Sequence, residues 1–137
     1  MGVTAFKSLT NFTSVEVLIR DKENGSTRTI SPADAAGFDY WIPWCTSQSE
    51  FPRHHIEIEV PAGTLRFFIW QSADADGDFV RFSTDNQYHG RNDGLTGTAG
   101  EHVPGVAEVD GNRLIIVRPN PTTDEANPYA FEVQKSG

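Results

Sequence analysis

Hydrophobic and polar positions along this chain alternate with a period of two, and that alternation predicts strands. Val15, Val17 and Ile19 oppose Glu16 and Arg20, with Leu18 interrupting the polar side, so residues 15–20 form a first strand. Asn24 and Gly25 then supply a tight turn, and residues 27–30 return as a short second strand. Over 54–60 the face of His54, Ile56, Ile58 and Val60 backs onto the face of His55, Glu57 and Glu59. The nearly continuous apolar run 65–71 predicts a central strand covered on both sides. Further strands follow over 38–42, 78–84, 106–109, 113–118 and 129–134.

The alternation fails in a few places. Ser31, Pro32 and Gly37 stand where a cap, a first helical residue and a terminator would stand, so 31–37 predicts a single helical turn. Ser47 and Glu50 have the spacing of a capping box, but Pro52 leaves room for no more than a turn. Residues 85–105 contain five glycines and two histidines and have no period. A loop of about twenty residues is uncommon in a compact domain and is usually functional. Residues 1–12 and 135–137 read as loose termini. The expected architecture is all-β, an antiparallel β-sandwich or jelly-roll-like barrel of eight to nine short strands with at most one or two single helical turns, in one domain over 1–137.

Charge narrows the range of partners. The formal net charge is −8 and the 11 Lys and Arg are scattered, so nucleic acid and anionic membrane surfaces are repelled. No apolar run approaches the ~18 residues of a membrane span, and residues 1–30 lack the pattern of a signal peptide. The chain is expected in the cytoplasm, or released without a standard signal. Cys45 is the single cysteine, so no disulfide forms within the chain, and its simplest role is that of a small buried residue. In size, acidity and class the chain is similar to soluble fungal and bacterial lectins and to aegerolysin-like lipid-binding proteins.

Candidate chemistry centres on aromatic residues. Over 38–42, Phe38, Tyr40 and Ile42 alternate with Asp39 and Trp41, and Pro43 stops the strand before Trp44. Trp41 and Trp44, with Tyr88 and His89 from the long loop and Arg91, Asn92 and Asp93 as polar partners, form a candidate ligand site. A sugar presents an apolar ring face to an aromatic and its hydroxyls to amide, carboxylate and guanidinium groups, which matches an apolar pocket with a few placed polar groups. The leading expectation is a non-enzymatic, lectin-like module for a carbohydrate or a lipid headgroup. The competing reading makes both tryptophans packing anchors.

Two other constellations matter. Asp74, Asp76 and Asp78 alternate as in an acidic calcium loop, so calcium is the possible cofactor, although Phe79 replaces the glycine of an EF-hand and a plain hairpin competes. His55, Glu57 and Glu59 lie two residues apart on one strand face, which motivates a second expectation, a small β-barrel enzyme, with or without a metal. A solvated strand face gives the same pattern. His54 and His55 point to opposite faces and cannot share an ion in a regular strand. Neither a nucleophile elbow nor a phosphate loop is present. A third expectation is a homo-oligomer joined through exposed strand edges or aromatics.

Overall fold

The computed structural model describes residues 3–74, 77–89, 101–121 and 128–136. Among them ten strands form, one more than the upper expectation, with one 3-10 turn and no α-helix. They are β1 (Thr4–Asn11), β2 (Val17–Asp21), β3 (Thr27–Ile30), β4 (Ala35–Trp41), β5 (Ile56–Glu59), β6 (Leu65–Asp74), β7 (Gly77–Ser83), β8 (Glu101–His102), β9 (Gly111–Pro119) and β10 (Tyr129–Lys135). A four-stranded sheet in the order β10-β9-β1-β4 packs on a six-stranded sheet in the order β3-β2-β5-β6-β7-β8. All neighbours are antiparallel except β1 and β9, which run parallel. No helix among the described residues is long and apolar enough to cross a membrane.

The inward faces follow the alternation. Phe6, Leu9, Tyr40, Ile115, Val117, Phe131 and Val133 from one sheet meet Val17, Ile19, Ile56, Ile58, Phe67, Ile69 and Val80 from the other. At about 1.5–3 kcal/mol per fully buried large apolar side chain, this layer dominates the driving force for folding.

Three expectations are corrected here. Residues 4–11 are not a loose terminus: β1 lies inside its sheet, between β9 and β4. Its alternation is hidden because the register slips between Phe6 and Ser8, so the two inward residues, Phe6 and Leu9, are three apart instead of two. Nor does 31–37 form a helical turn. Ala33 has φ of +61°, outside the helical region, and Asp34 Oδ1 accepts from the Ala35 N–H at 2.8 Å, which starts β4 directly. Finally, 106–109 makes one isolated bridge, Glu108 with Phe79, rather than a strand.

Asn11 secures the end of β1. Its amide nitrogen donates to the carbonyls of Val15, Ile30 and Ser31 at 2.8, 3.1 and 3.2 Å, while its oxygen accepts from Thr13 N and Oγ1 at 2.9 and 2.6 Å. A fully buried side chain with every polar atom paired anchors two loops at once.

Candidate functional site

The expected aromatic site is spread over the molecule. Trp41 ends β4 with its ring 59% exposed on the outer face of the four-stranded sheet, since Tyr40 and Ile42 on either side point inward. The chain then crosses to the other sheet. Gln71 N donates to Pro43 O at 2.8 Å and Cys45 N donates to Gln71 O at 3.0 Å, so Trp44 bridges to Gln71, where β5 has ended and left β6 a free side. Trp44 is half-buried. Tyr88 is buried on the outer face of the six-stranded sheet, its ring 5.7 Å from Trp70. Trp41 and Tyr88 therefore stand on opposite faces of the sandwich.

His89 turns back on Asp85, with Nε2 2.8 Å from Oδ2. Arg91, Asn92 and Asp93 lie outside the described residues, as does Asp76. Asp74 pairs with Gly77 in the β6–β7 hairpin, and Asp78 is exposed on β7. No group of three or more His, Cys, Asp or Glu converges among the described residues.

Residues 43–55 cover the outer face of β5 and β6, which sequence alternation alone does not reveal. Cys45, Phe51, Phe68, Trp70 and Tyr88 form a second buried cluster there. Burial pushes the Cys45 thiol up to about 11, and its Sγ donates to Ser47 O at 3.3 Å. Thiolate is the reactive species. Native protein is thus expected to resist a water-soluble disulfide reagent at pH about 8, below the ordinary thiol value of about 8.5, and to react fully once denatured. Rapid labelling of the native state would show that the 43–55 cover opens.

Beneath this cover, the face expected to be solvated is buried. His55 is 1% exposed and Glu57 5% exposed. The His55 ring stacks on Phe51 with centroids 4.3 Å apart, its Nδ1 meets the Phe51 carbonyl, and its Nε2 lies 2.9 Å from Glu57 Oε2. Both ring nitrogens thus face acceptor groups, a carbonyl on one side and a carboxylate on the other. Arg20 continues the chain, donating to Glu57 Oε1 and Glu59 Oε2 at 3.1 Å each, and Glu59 Oε1 accepts from Gly63 N at 2.7 Å. Burial acts to raise the Glu57 carboxyl, but the His55 hydrogen bond and charge, the Lys22 charge and the Arg20 hydrogen bond together hold it below its usual range. A polar recess of about 190 Å³, bordered by Lys22, Gln48, Pro52 and Asn86, opens above the pair. His54, at the end of the 3-10 turn, has Nδ1 3.3 Å from Glu23.

A larger cleft lies elsewhere, between the two sheets, where β10 faces β6, β7 and β8. Its volume is about 360 Å³. Phe67, Phe82, Tyr129 and Phe131 make its aromatic walls, and Thr84, Glu101 and Asn120 place polar groups along it. The rings are mutually braced: Phe131 lies 4.7 Å from Phe67 and 5.1 Å edge-on from Phe82. The Arg66 guanidinium sits 5.6 Å from the Tyr129 centroid. The long loop contributes here, through Glu101 and Pro104. Comparisons with protein-family models, curated proteins and solved structures found no match. What the molecule does is therefore carried by its own geometry.

Sequence reasoning missed this cleft because Phe67, Phe82 and Phe131 look like ordinary core positions. The one available signal was Tyr129, an aromatic with a polar tip opening a strand that ends the chain's other sheet.

Proposed function

We propose that this protein is a non-catalytic binding module that takes a carbohydrate-like ligand in the cleft between its sheets. The observation that carries this reading is the cleft's make-up, three mutually braced phenylalanine rings and Tyr129 with Thr84, Glu101 and Asn120 among them. Its volume falls within the roughly 300–1,000 Å³ of small-molecule sites, which are mostly apolar with few orienting groups. A pyranose offers apolar C–H faces to such walls and hydroxyls to a carboxylate, an amide and a hydroxyl. Trp41 and Trp44 then act outside the ligand site.

The test is calorimetric titration of wild type and Tyr129→Ala with a panel of oligosaccharides, and with zwitterionic phosphatidylcholine vesicles as the lipid arm. Tyr129 is half-buried, so its truncation is expected to weaken binding by about tenfold or more, at least about 1.4 kcal/mol, while the fold survives. Binding that ignores Tyr129→Ala but is lost in Trp41→Ala would move the site to the open sheet face. Vesicle binding alone would replace the sugar with a headgroup.

An enzymatic reading built on His55 and Glu57 is less well supported. Both nitrogens of His55 are already engaged, so the ring has no site left to take a substrate proton.

A further inference from the structure

We propose that β4 is a self-pairing edge through which two copies of this chain join their four-stranded sheets into one continuous sheet. The backbone establishes the opportunity. Ile42 N donates to Thr4 O and Asn11 N donates to Asp34 O, so residues 42 and 34 point towards β1. Successive residues of a strand point opposite ways, hence Ala35, Gly37, Asp39 and Trp41 aim their N–H and C=O groups away from it. No strand pairs with β4 on that side among the described residues.

The other edges are managed. β10 is covered by 104–106, with Val106 N donating to Val133 O and Val133 N to Pro104 O at 2.8 Å each. β8 has two residues, and β3 has four with Arg28 among its exposed side chains. Short strands, charges, proline and cover are the usual protections of an edge. β4 is seven residues long, carries neither lysine nor proline, and bears a large exposed aromatic.

The order of residues along β4 suits its own copy. An antiparallel pairing about a two-fold axis at Phe38 sets Trp41 opposite the second copy's Ala35, Tyr40 opposite its Ala36, and Asp39 opposite its Gly37. Trp41 and Tyr40 each meet an alanine, the two Phe38 rings meet at the axis, and the outward-pointing residues meet each other, as ladder hydrogen bonds require. Centring on Asp39 instead would oppose two carboxylates. Centring on Gly37 would carry Trp41 past the start of the partner strand. Charge agrees with the chosen register: Asp39, the one charged residue of β4, is held by Lys7 at 2.8 Å, so the strand brings little net charge to the contact although the whole chain carries −8.

Sedimentation of wild type and Gly37→Pro across a dilution series tests the pairing. Gly37 N–H points away from β1, and an added Cβ there has Lys7 O at 3.8 Å as its one near neighbour, so proline is expected to remove an edge donor without breaking the sheet. Wild type is expected to dimerise, more tightly as salt rises from about 0.1 M to about 1 M and shortens the Debye length from about 10 to about 3 Å. Gly37→Pro is expected to weaken the dimer at least tenfold with unchanged circular dichroism. Should that variant not fold, Trp41→Arg at an exposed position gives the same readout. Wild type that stays monomeric at every concentration, or a dimer indifferent to both substitutions, overturns the proposal.

Discussion

Gly105→Ala is expected to lower stability by about 3–5 kcal/mol, the upper range for a single substitution. Two costs combine at this position. Its φ of +91° suits glycine alone, and an added Cβ would lie inside contact distance of the Val133 carbonyl oxygen and 3.1 Å from its carbon. Those are backbone atoms of β10, which is fastened to β9 along its whole length and cannot give way. Gly63 separates the two costs. It has φ of +98° with nothing within 4 Å of an added Cβ, so Gly63→Ala is expected to show the backbone strain alone, about 1 kcal/mol. Thermal melting of the pair measures the difference, with a fall of about 10–20 °C expected for Gly105→Ala and much less for Gly63→Ala. Equal shifts would mean that β10 moves to accept the methyl group. Because Pro104 lines the aromatic cleft, ligand binding is expected to fall with the same substitution.

Glu57→Ala is the second large effect, with an expected loss of about 3 kcal/mol, the low end of what breaking a buried ion pair costs. The substitution leaves the buried His55 ring with one polar partner instead of two. Arg20, a third exposed, can turn to water and keep Glu59, which moderates the loss. Glu57→Gln retains an acceptor of similar shape and is expected to lose less. Acidity should distinguish the variants further. Because Glu57 ionises more readily in the folded protein than in the unfolded chain, its contribution is complete above the ordinary value of 4.5 and disappears as pH falls through the lower folded value. Denaturant titrations at neutral pH and at progressively lower pH should show wild type converging on Glu57→Ala. A constant gap between the two would mean that the carboxyl contributes by packing rather than by charge.

Much of the fold was legible where alternation is clean. The strands around Val17 and Ile19, Ile56 and Ile58, Ile115 and Val117, and Phe131 and Val133 declare their inward faces in the residues themselves. β1 was not legible, because a register slip at Lys7 puts Phe6 and Leu9 at a spacing that matches neither a regular strand nor a convincing helix. The start of β4 was hidden by Pro32 and a run of alanines, which have the local chemistry of a helix start; the deciding factor is the positive φ at Ala33.

The candidate site was less legible, for a different reason. Alternation tells which face of a strand is apolar but not whether the polar face is covered. His55, Glu57 and Glu59 have the pattern of a solvated face and are buried, the first two beside Gln48, Phe51 and Pro52 and the third against Arg20 and Gly63. Conversely, Phe67 and Phe82 have the pattern of core residues and line a cleft beside β10. Both facts depend on how distant segments stack, which no local pattern encodes.

The parallel pairing of β1 with β9 has a consequence for assembly. Thr4 Oγ1 accepts from Asp110 N across 106 residues of chain, and the ladder continues as far as Asn11 with Val117. In the other sheet, β2 with β3, β5 with β6 and β6 with β7 are neighbours in sequence as well as in space, so that sheet can grow from hairpins. Closing a loop of about a hundred residues costs about 4 kcal/mol in chain entropy, on top of a length-independent part, before any contact repays it. β1, the earliest strand in the chain, therefore gains its second neighbour among the last steps of folding. Until then its open side exposes Phe6 and Leu9 beside unpaired backbone, and that is the interval in which this protein is most vulnerable to sticking to other chains.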